Sequence, residues 1–140
     1  MIPLDDLPTT WVVVVTPRVE VPTTAVYHRL QVGDAWRRPD PTVYDFYTGL
    51  TKELPWSRIR NDLQSGVITG WPEVGEVLHE LGSTKPRHVA VTGSGSAVFA
   101  VYDGAEPARR AAVELQRRGR VHAGVTLSRR DARLEPTDCR

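Results

Sequence analysis

The most continuous block of hydrophobic residues in the chain is Trp11-Val12-Val13-Val14-Val15, closed by Thr16-Pro17. A short uninterrupted run of β-branched residues predicts a buried strand, and the proline cannot donate to a ladder. Pro22-Thr23-Thr24 then precedes residues 25–30. A threonine there can cap a short helix, with Val26, Tyr27 and Leu30 toward one side. Further on, Val74, Val77, Leu78 and Leu81 recur at i, i+3, i+4 and i+7, which predicts a helix over 72–81 with one apolar stripe. Pro72 suits its first turn and Gly82 its stop. Residues 88–91 and 97–102 read as two strands joined by the turn Thr92-Gly93-Ser94-Gly95-Ser96. Ala108, Ala111, Ala112 and Leu115 repeat the helical stripe over 106–118, with Arg109, Arg110, Arg117 and Arg118 pointing away and Gly119 ending the helix. A last strand is expected over 121–127 and a polar tail over 129–140. The stretch 31–41, with Gly33, Pro39 and Pro41, reads as a loop. Residues 42–50 and 58–63 read as short helices.

With the short helices set aside, the order is strand, helix, strand, strand, helix, strand. That is the split βαβ pattern of a ferredoxin-like α+β sandwich, one antiparallel sheet with helices on one face. The connection between the first strand and the helix at Pro72 is long and mostly helical.

Composition adds bounds rather than chemistry. The 140 residues fit one domain, and 40% hydrophobic with 25% charged residues is ordinary globular composition. A net charge of +1 gives no reason to expect nucleic acid or an acidic membrane as partner. The single cysteine, Cys139, cannot form an internal disulfide, which fits a reducing compartment. Residues 1–10 lack the basic and apolar regions of a signal peptide, and Val12–Val15 is far too short to span a bilayer. A cytoplasmic protein is expected.

The sharpest candidate for chemistry is the glycine turn. Two glycines at alternate positions permit dihedrals closed to other residues and can aim successive backbone N–H groups at one anion. The hydroxyls of Ser94 and Ser96 add donors. The turn is no dinucleotide fingerprint: the third glycine position is Val98, and a strand follows where a helix should begin. It is no Walker loop, since no Gly-Lys-Ser or Gly-Lys-Thr occurs, and no nucleophile elbow. A tight turn that merely connects strands is the plainer alternative, because glycine and serine are common turn formers. His28, His79, His88 and His122 show no metal-ligand spacing. Glu76 and Glu80 read as a solvated helix face, and Asn61-Asp62-Leu63 before Gly66 as a helix start or cap.

Three segments in register resemble the carboxy-terminal domain of the GHMP superfamily of small-molecule kinases. They are Trp11 to Pro17 running into Val21-Pro22-Thr23-Thr24-Ala25-Val26-Tyr27, then Asn61-Asp62-Leu63 followed by the helix with Pro72-Glu73, then Thr92-Gly93-Ser94-Gly95-Ser96-Ala97-Val98-Phe99. The last is similar to the third motif of that superfamily. The likeness covers about residues 4–128, and within the superfamily it is to the kinases acting on 4-diphosphocytidyl-2-C-methylerythritol.

The resemblance implies a domain over 11–128, residues 1–10 left from a preceding catalytic half, and the tail 129–140. It implies ATP-dependent phosphorylation of the 2-hydroxyl of that cytidine diphosphate-linked alcohol, a step of non-mevalonate isoprenoid synthesis. Gly93, Ser94, Gly95 and Ser96 would face the nucleotide phosphates. Tyr27 would stack on the cytosine, or else pack in the core. Thr23 would hydrogen-bond near the substrate, or merely cap its helix. Asn61 would lie toward the substrate at the domain interface. Magnesium is expected with ATP, but no ligand for it is identifiable. The superfamily's catalytic Lys, glycine-rich phosphate loop and catalytic Asp have no counterpart in these 140 residues. Phosphoryl transfer depends on such groups around the γ-phosphate. The isolated chain is therefore expected to be inactive without the amino-terminal kinase half. A stand-alone ferredoxin-like module that binds a nucleotide or other small ligand without catalysis is the alternative.

Overall fold

The computed structural model describes residues 8–30 and 56–128. The amino segment 1–7, the expected loop at 31–41, the expected helix at 42–50 and the tail 129–140 lie outside the described residues. Strand β1 (Trp11–Pro17) leads to helix α1 (Thr23–Arg29); a 3-10 turn (Trp56–Arg58), α2 (Gln64–Gly70) and α3 (Pro72–Ser83) follow. Then come β2 (His88–Val91), β3 (Val98–Tyr102), α4 (Ala105–Glu114), a second 3-10 turn (Gln116–Arg118) and β4 (Gly119–Val125). The sheet order is β2-β3-β1-β4, and every neighbouring pair is antiparallel. This is the expected ferredoxin-like α+β sandwich. No described helix is long and apolar enough to cross a membrane.

The alternation of a strand decides which residues enter the core. Val13 faces Ala100 and Val15 faces Val98 in the β1–β3 register, and Val91 faces Val98 across β2–β3. These side chains and Tyr102 form one buried layer under the helices. Helix α3 supplies Val74, Val77 and Leu81, and α4 supplies Ala108, Ala111 and Leu115, all buried. The alanines of α4 let its backbone approach the sheet closely. On the opposite face the β2–β3 half is covered: Trp56 lies 6.0 Å from the His88 ring, and His88 lies 5.7 Å from Phe99. Beneath them Ala90 and Val101 are buried.

Several boundaries differ from the sequence expectation, each for a tertiary reason. Helix α3 runs past Gly82 to Ser83 and is stopped by Thr84, whose hydroxyl bonds Leu81 O at 2.6 Å and the Tyr102 hydroxyl at 2.6 Å. Lys85 then takes the left-handed conformation, φ 61°. Helix α4 ends at Glu114, and the 3-10 turn after it carries Arg117 and Arg118 back toward α3. There Arg118 donates from Nε to Glu80 Oε2 at 2.8 Å and from Nη1 to Glu76 Oε2 at 2.8 Å, and Arg117 reaches Glu80 at 3.1 Å. Glu76 and Glu80 thus form an ion-paired network rather than a merely solvated face. The Arg118 hydrogen bond is the main reason that the Glu80 carboxyl titrates below the usual range.

Gly119 starts β4 rather than only ending a helix, so this strand begins two residues early. It is paired with Pro17 so closely that a Cβ there would collide with the Thr16 carbonyl. Residues 58–63 do not form the expected helix. The helix lies at Gln64–Gly70, a stretch with two glycines and three β-branched residues that has low intrinsic helix propensity. Packing of Val67 into the core holds it there.

Candidate functional site

The glycine turn leaves β2 at Val91 and enters β3 at Val98. It is closed at its base by Thr92 N–H to Ala97 O at 2.9 Å, and internally by Gly95 N–H to Thr92 O at 3.0 Å. Gly93 has φ +55° and Gly95 φ +81°, a region that costs other L-residues about 1–2 kcal/mol. Gly95 is also confined: a Cβ there would stand 3.2 Å from Val67 Cγ1 and 3.6 Å from Val91 Cγ1. One side of the turn therefore rests on α2. The other side is open, with Thr92 and Gly93 exposed and Ser94, Gly95 and Ser96 half-buried. Among the described residues, no acceptor meets the backbone N–H groups of Gly93, Ser94 and Ser96. An open turn with unmet N–H donors and two hydroxyls has the chemistry of an anion site.

Side chains from the two inserted helices reach this turn. Asn61, just before α2, donates from Nδ2 to Val91 O at 2.8 Å and to Gly93 O at 2.7 Å. Its Oδ1 accepts Leu63 N–H at 3.0 Å, and Gln64 N–H bonds its carbonyl at 3.0 Å. So Asn61 does start the α2 turn, as its sequence context implied, but its amide is engaged with the glycine loop. Gln64 Oε1 accepts Val91 N–H at 2.9 Å, a contact that spacing alone could not single out. Thr23 stands at the first turn of α1 and makes no capping bond; Pro22 occupies the cap position. Instead the Thr23 hydroxyl meets the Ser94 hydroxyl at 3.0 Å.

Tyr27 lies one helical turn beyond Thr23 and is 58% exposed, so core packing is not its occupation. Val26 takes the core side of α1 in its place, which separates it from the Tyr27 face that the sequence assigned to both. Between α1 and α2 lies an open hollow of about 350 Å³ whose lining includes Val26, Arg29, Asp62, Leu63, Ser65 and Thr69. The Arg29 guanidinium lies 5.5 Å from the Trp71 ring centre. The structure thus brings Thr23, Asn61 and Gly93–Ser96 together by direct bonds and places Tyr27 on the same helix as Thr23. Among the described residues no group of three His, Cys, Asp or Glu is placed to hold a metal.

No family model matches the chain. Among curated proteins it is 34% identical over 123 residues to 4-diphosphocytidyl-2-C-methyl-D-erythritol kinase of Geobacter sulfurreducens, covering 87% of this chain and 42% of that protein. Among solved structures, the crystal structure of 4-(cytidine 5'-diphospho)-2C-methyl-D-erythritol kinase superposes with TM-score 0.69 at 35% identity, covering 88% of this chain and 44% of the other. Homoserine kinase from Cytophaga hutchinsonii superposes with TM-score 0.60 at 16% identity over 91% of this chain and 44% of that one, a likeness of fold alone. The chain therefore resembles the carboxy-terminal half of the cytidyl-alcohol kinase and has the fold of the matching domain of GHMP kinases. It spans about two-fifths of the length of the curated relatives it matches.

Proposed function

We propose that this chain is the carboxy-terminal domain of a GHMP-superfamily kinase that transfers the γ-phosphate of ATP to the 2-hydroxyl of 4-diphosphocytidyl-2-C-methyl-D-erythritol. The observation that carries this reading is the open glycine turn, whose N–H donors at Gly93, Ser94 and Ser96 no described residue meets and whose Ser94 hydroxyl is bonded to α1. Phosphate oxygens could be met there, and a charge-assisted hydrogen bond contributes about 1.5–3 kcal/mol. The exposed face of Tyr27 offers a stacking surface for the cytosine, worth roughly 1–3 kcal/mol by analogy with base stacking on aromatic residues. Thr23 stands between the two, its hydroxyl shared with Ser94. Identity of about a third with kinases named for this substrate supports the choice of alcohol.

The catalytic Lys, phosphate loop and Asp that neutralise and position the γ-phosphate would come from a second domain, so this chain would form one wall of the nucleotide cleft. ATP would enter with magnesium. None of the described residues is assigned to the metal.

Two measurements test the reading. The 140-residue chain alone is expected to transfer no phosphate from ATP to the cytidyl alcohol, and transfer is expected to appear when the chain is joined to a phosphate-loop domain from a relative. In calorimetry, neither ATP nor cytidine diphosphate should bind the isolated chain at micromolar concentration. Micromolar binding of either, with no activity in the joined protein, would instead make the chain a stand-alone binding module, and ferredoxin-like sandwiches do serve as such.

A further inference from the structure

We infer that Asn61 and Gln64 are positioning residues that hold the glycine turn open, so that its N–H groups face outward. The inference rests on the reading of that turn as the phosphate-facing wall. Strand β2 is an edge strand, so the outward N–H and C=O of Val91 have no strand to pair with. Gln64 Oε1 takes the N–H at 2.9 Å, and Asn61 Nδ2 takes the C=O at 2.8 Å. The second Asn61 proton goes two residues further, to Gly93 O at 2.7 Å. One amide therefore bridges the last strand residue and the first glycine of the turn, across Thr92.

That bridge fixes the direction of a peptide. With the Gly93 carbonyl drawn inward to Asn61, the Ser94 N–H of the same peptide unit points the opposite way, because the C=O and N–H of a trans peptide are antiparallel. The donor is aimed outward before any ligand arrives. Asn61 is itself oriented: its Oδ1 is held by Leu63 N–H at 3.0 Å, which assigns the amide protons to the turn. Asparagine suits this task because it carries two donors and an acceptor on one short planar group. Aspartate has the same shape but no proton for either carbonyl.

The test uses the whole 140-residue chain, labelled for amide NMR, with Asn61→Asp, Asn61→Ala and Gln64→Leu. Circular dichroism melting first establishes which variants retain the fold, and Asn61→Ala serves if the charged variant does not. Without the bridge, hydrogen exchange at the bonded amides of Val91 and Gly95 is expected to rise about tenfold, the loss of about one net hydrogen bond, and the Gly93 and Ser94 amide shifts are expected to move, while amides of β1 and β4 stay unchanged. Exchange at Val91 and Gly95, with shifts at Gly93 and Ser94, that match wild type in every folded variant overturn the inference.

Adding millimolar ADP separates this from the reading beneath it. Wild-type Gly93, Ser94 and Ser96 amides should shift with ADP, and the Asn61 variants should need about tenfold more for the same shift. If ADP moves no wild-type amide there, the nucleotide assignment fails, and the exchange result still decides whether Asn61 and Gln64 position the turn.

Discussion

The sheet is built from two strand-helix-strand halves, and they differ in almost everything except their core. The second half, β3-α4-β4, connects its strands with one ten-residue helix and a 3-10 turn. Its helix meets the sheet through alanines and Leu115, and its exposed residues are Glu106, Arg109, Arg110, Val113 and Glu114. The first half, β1 to β2, interposes α1, α2 and α3. Among the described residues, the side chains of Thr23, Asn61, Gln64 and Val67, which bond or pack against the glycine turn and its base, all come from that connection. The minimal half closes the fold, and the elaborated half adds the site. Helices that contribute little to the common core are free to carry polar groups to the end of an edge strand.

If that division holds, each half should lose stability alike when its core is cut. Leu81 in α3 and Leu115 in α4 are both fully buried. Leu81→Ala and Leu115→Ala should each cost about 2–5 kcal/mol in chemical denaturation. A cost confined to one half would show that the core is not shared. Gly95→Ala should break the site more than the fold. The positive φ and the 3.2 Å approach to Val67 make any side chain strained there, with a cost of about 1–3 kcal/mol and a larger fall in turnover of the proposed two-domain kinase. Unchanged turnover would remove the turn from the site.

The smallest effect separates the halves by pH. His88, on β2, is held below the usual imidazole range by burial, and its Nε2 has no hydrogen-bond partner among the described residues. The unfolded chain takes up the proton first as pH falls below the ordinary imidazole value of 6.5, so stability is full above that point and declines as pH drops toward the lower folded pKa. His88→Phe should flatten the decline in stability below about pH 6.5. A profile unaltered by His88→Phe would contradict the burial account.

The architecture was legible because hydrophobic period and element order carry it: the valine run, two apolar helical stripes and two strands around Gly93 and Gly95. What escaped were features set by distant partners. Helix α2 has a weak local signal and forms because Val67 is buried. Arg117 and Arg118 looked like solvent-facing residues until the turn after α4 carried them to Glu80. At the site, the glycines announced a special turn, and Thr23 and Tyr27 were visible through the resemblance. The hydroxyl contact of Thr23, and the bonds of Asn61 and Gln64 to the turn, depend on residues 27 to 71 positions away and leave no periodic trace.

The central claim is that two separate surfaces of one domain meet two parts of the reaction: the glycine turn the nucleotide, and the exposed Tyr27 the cytidyl group. Steady-state kinetics of Tyr27→Ala in the proposed two-domain kinase tests it most directly. Loss of a stacked base worth roughly 1–3 kcal/mol should raise KM for 4-diphosphocytidyl-2-C-methyl-D-erythritol about tenfold or more, with KM for ATP and the melting temperature near wild type. A KM for the cytidyl alcohol unchanged from wild type would contradict the claim.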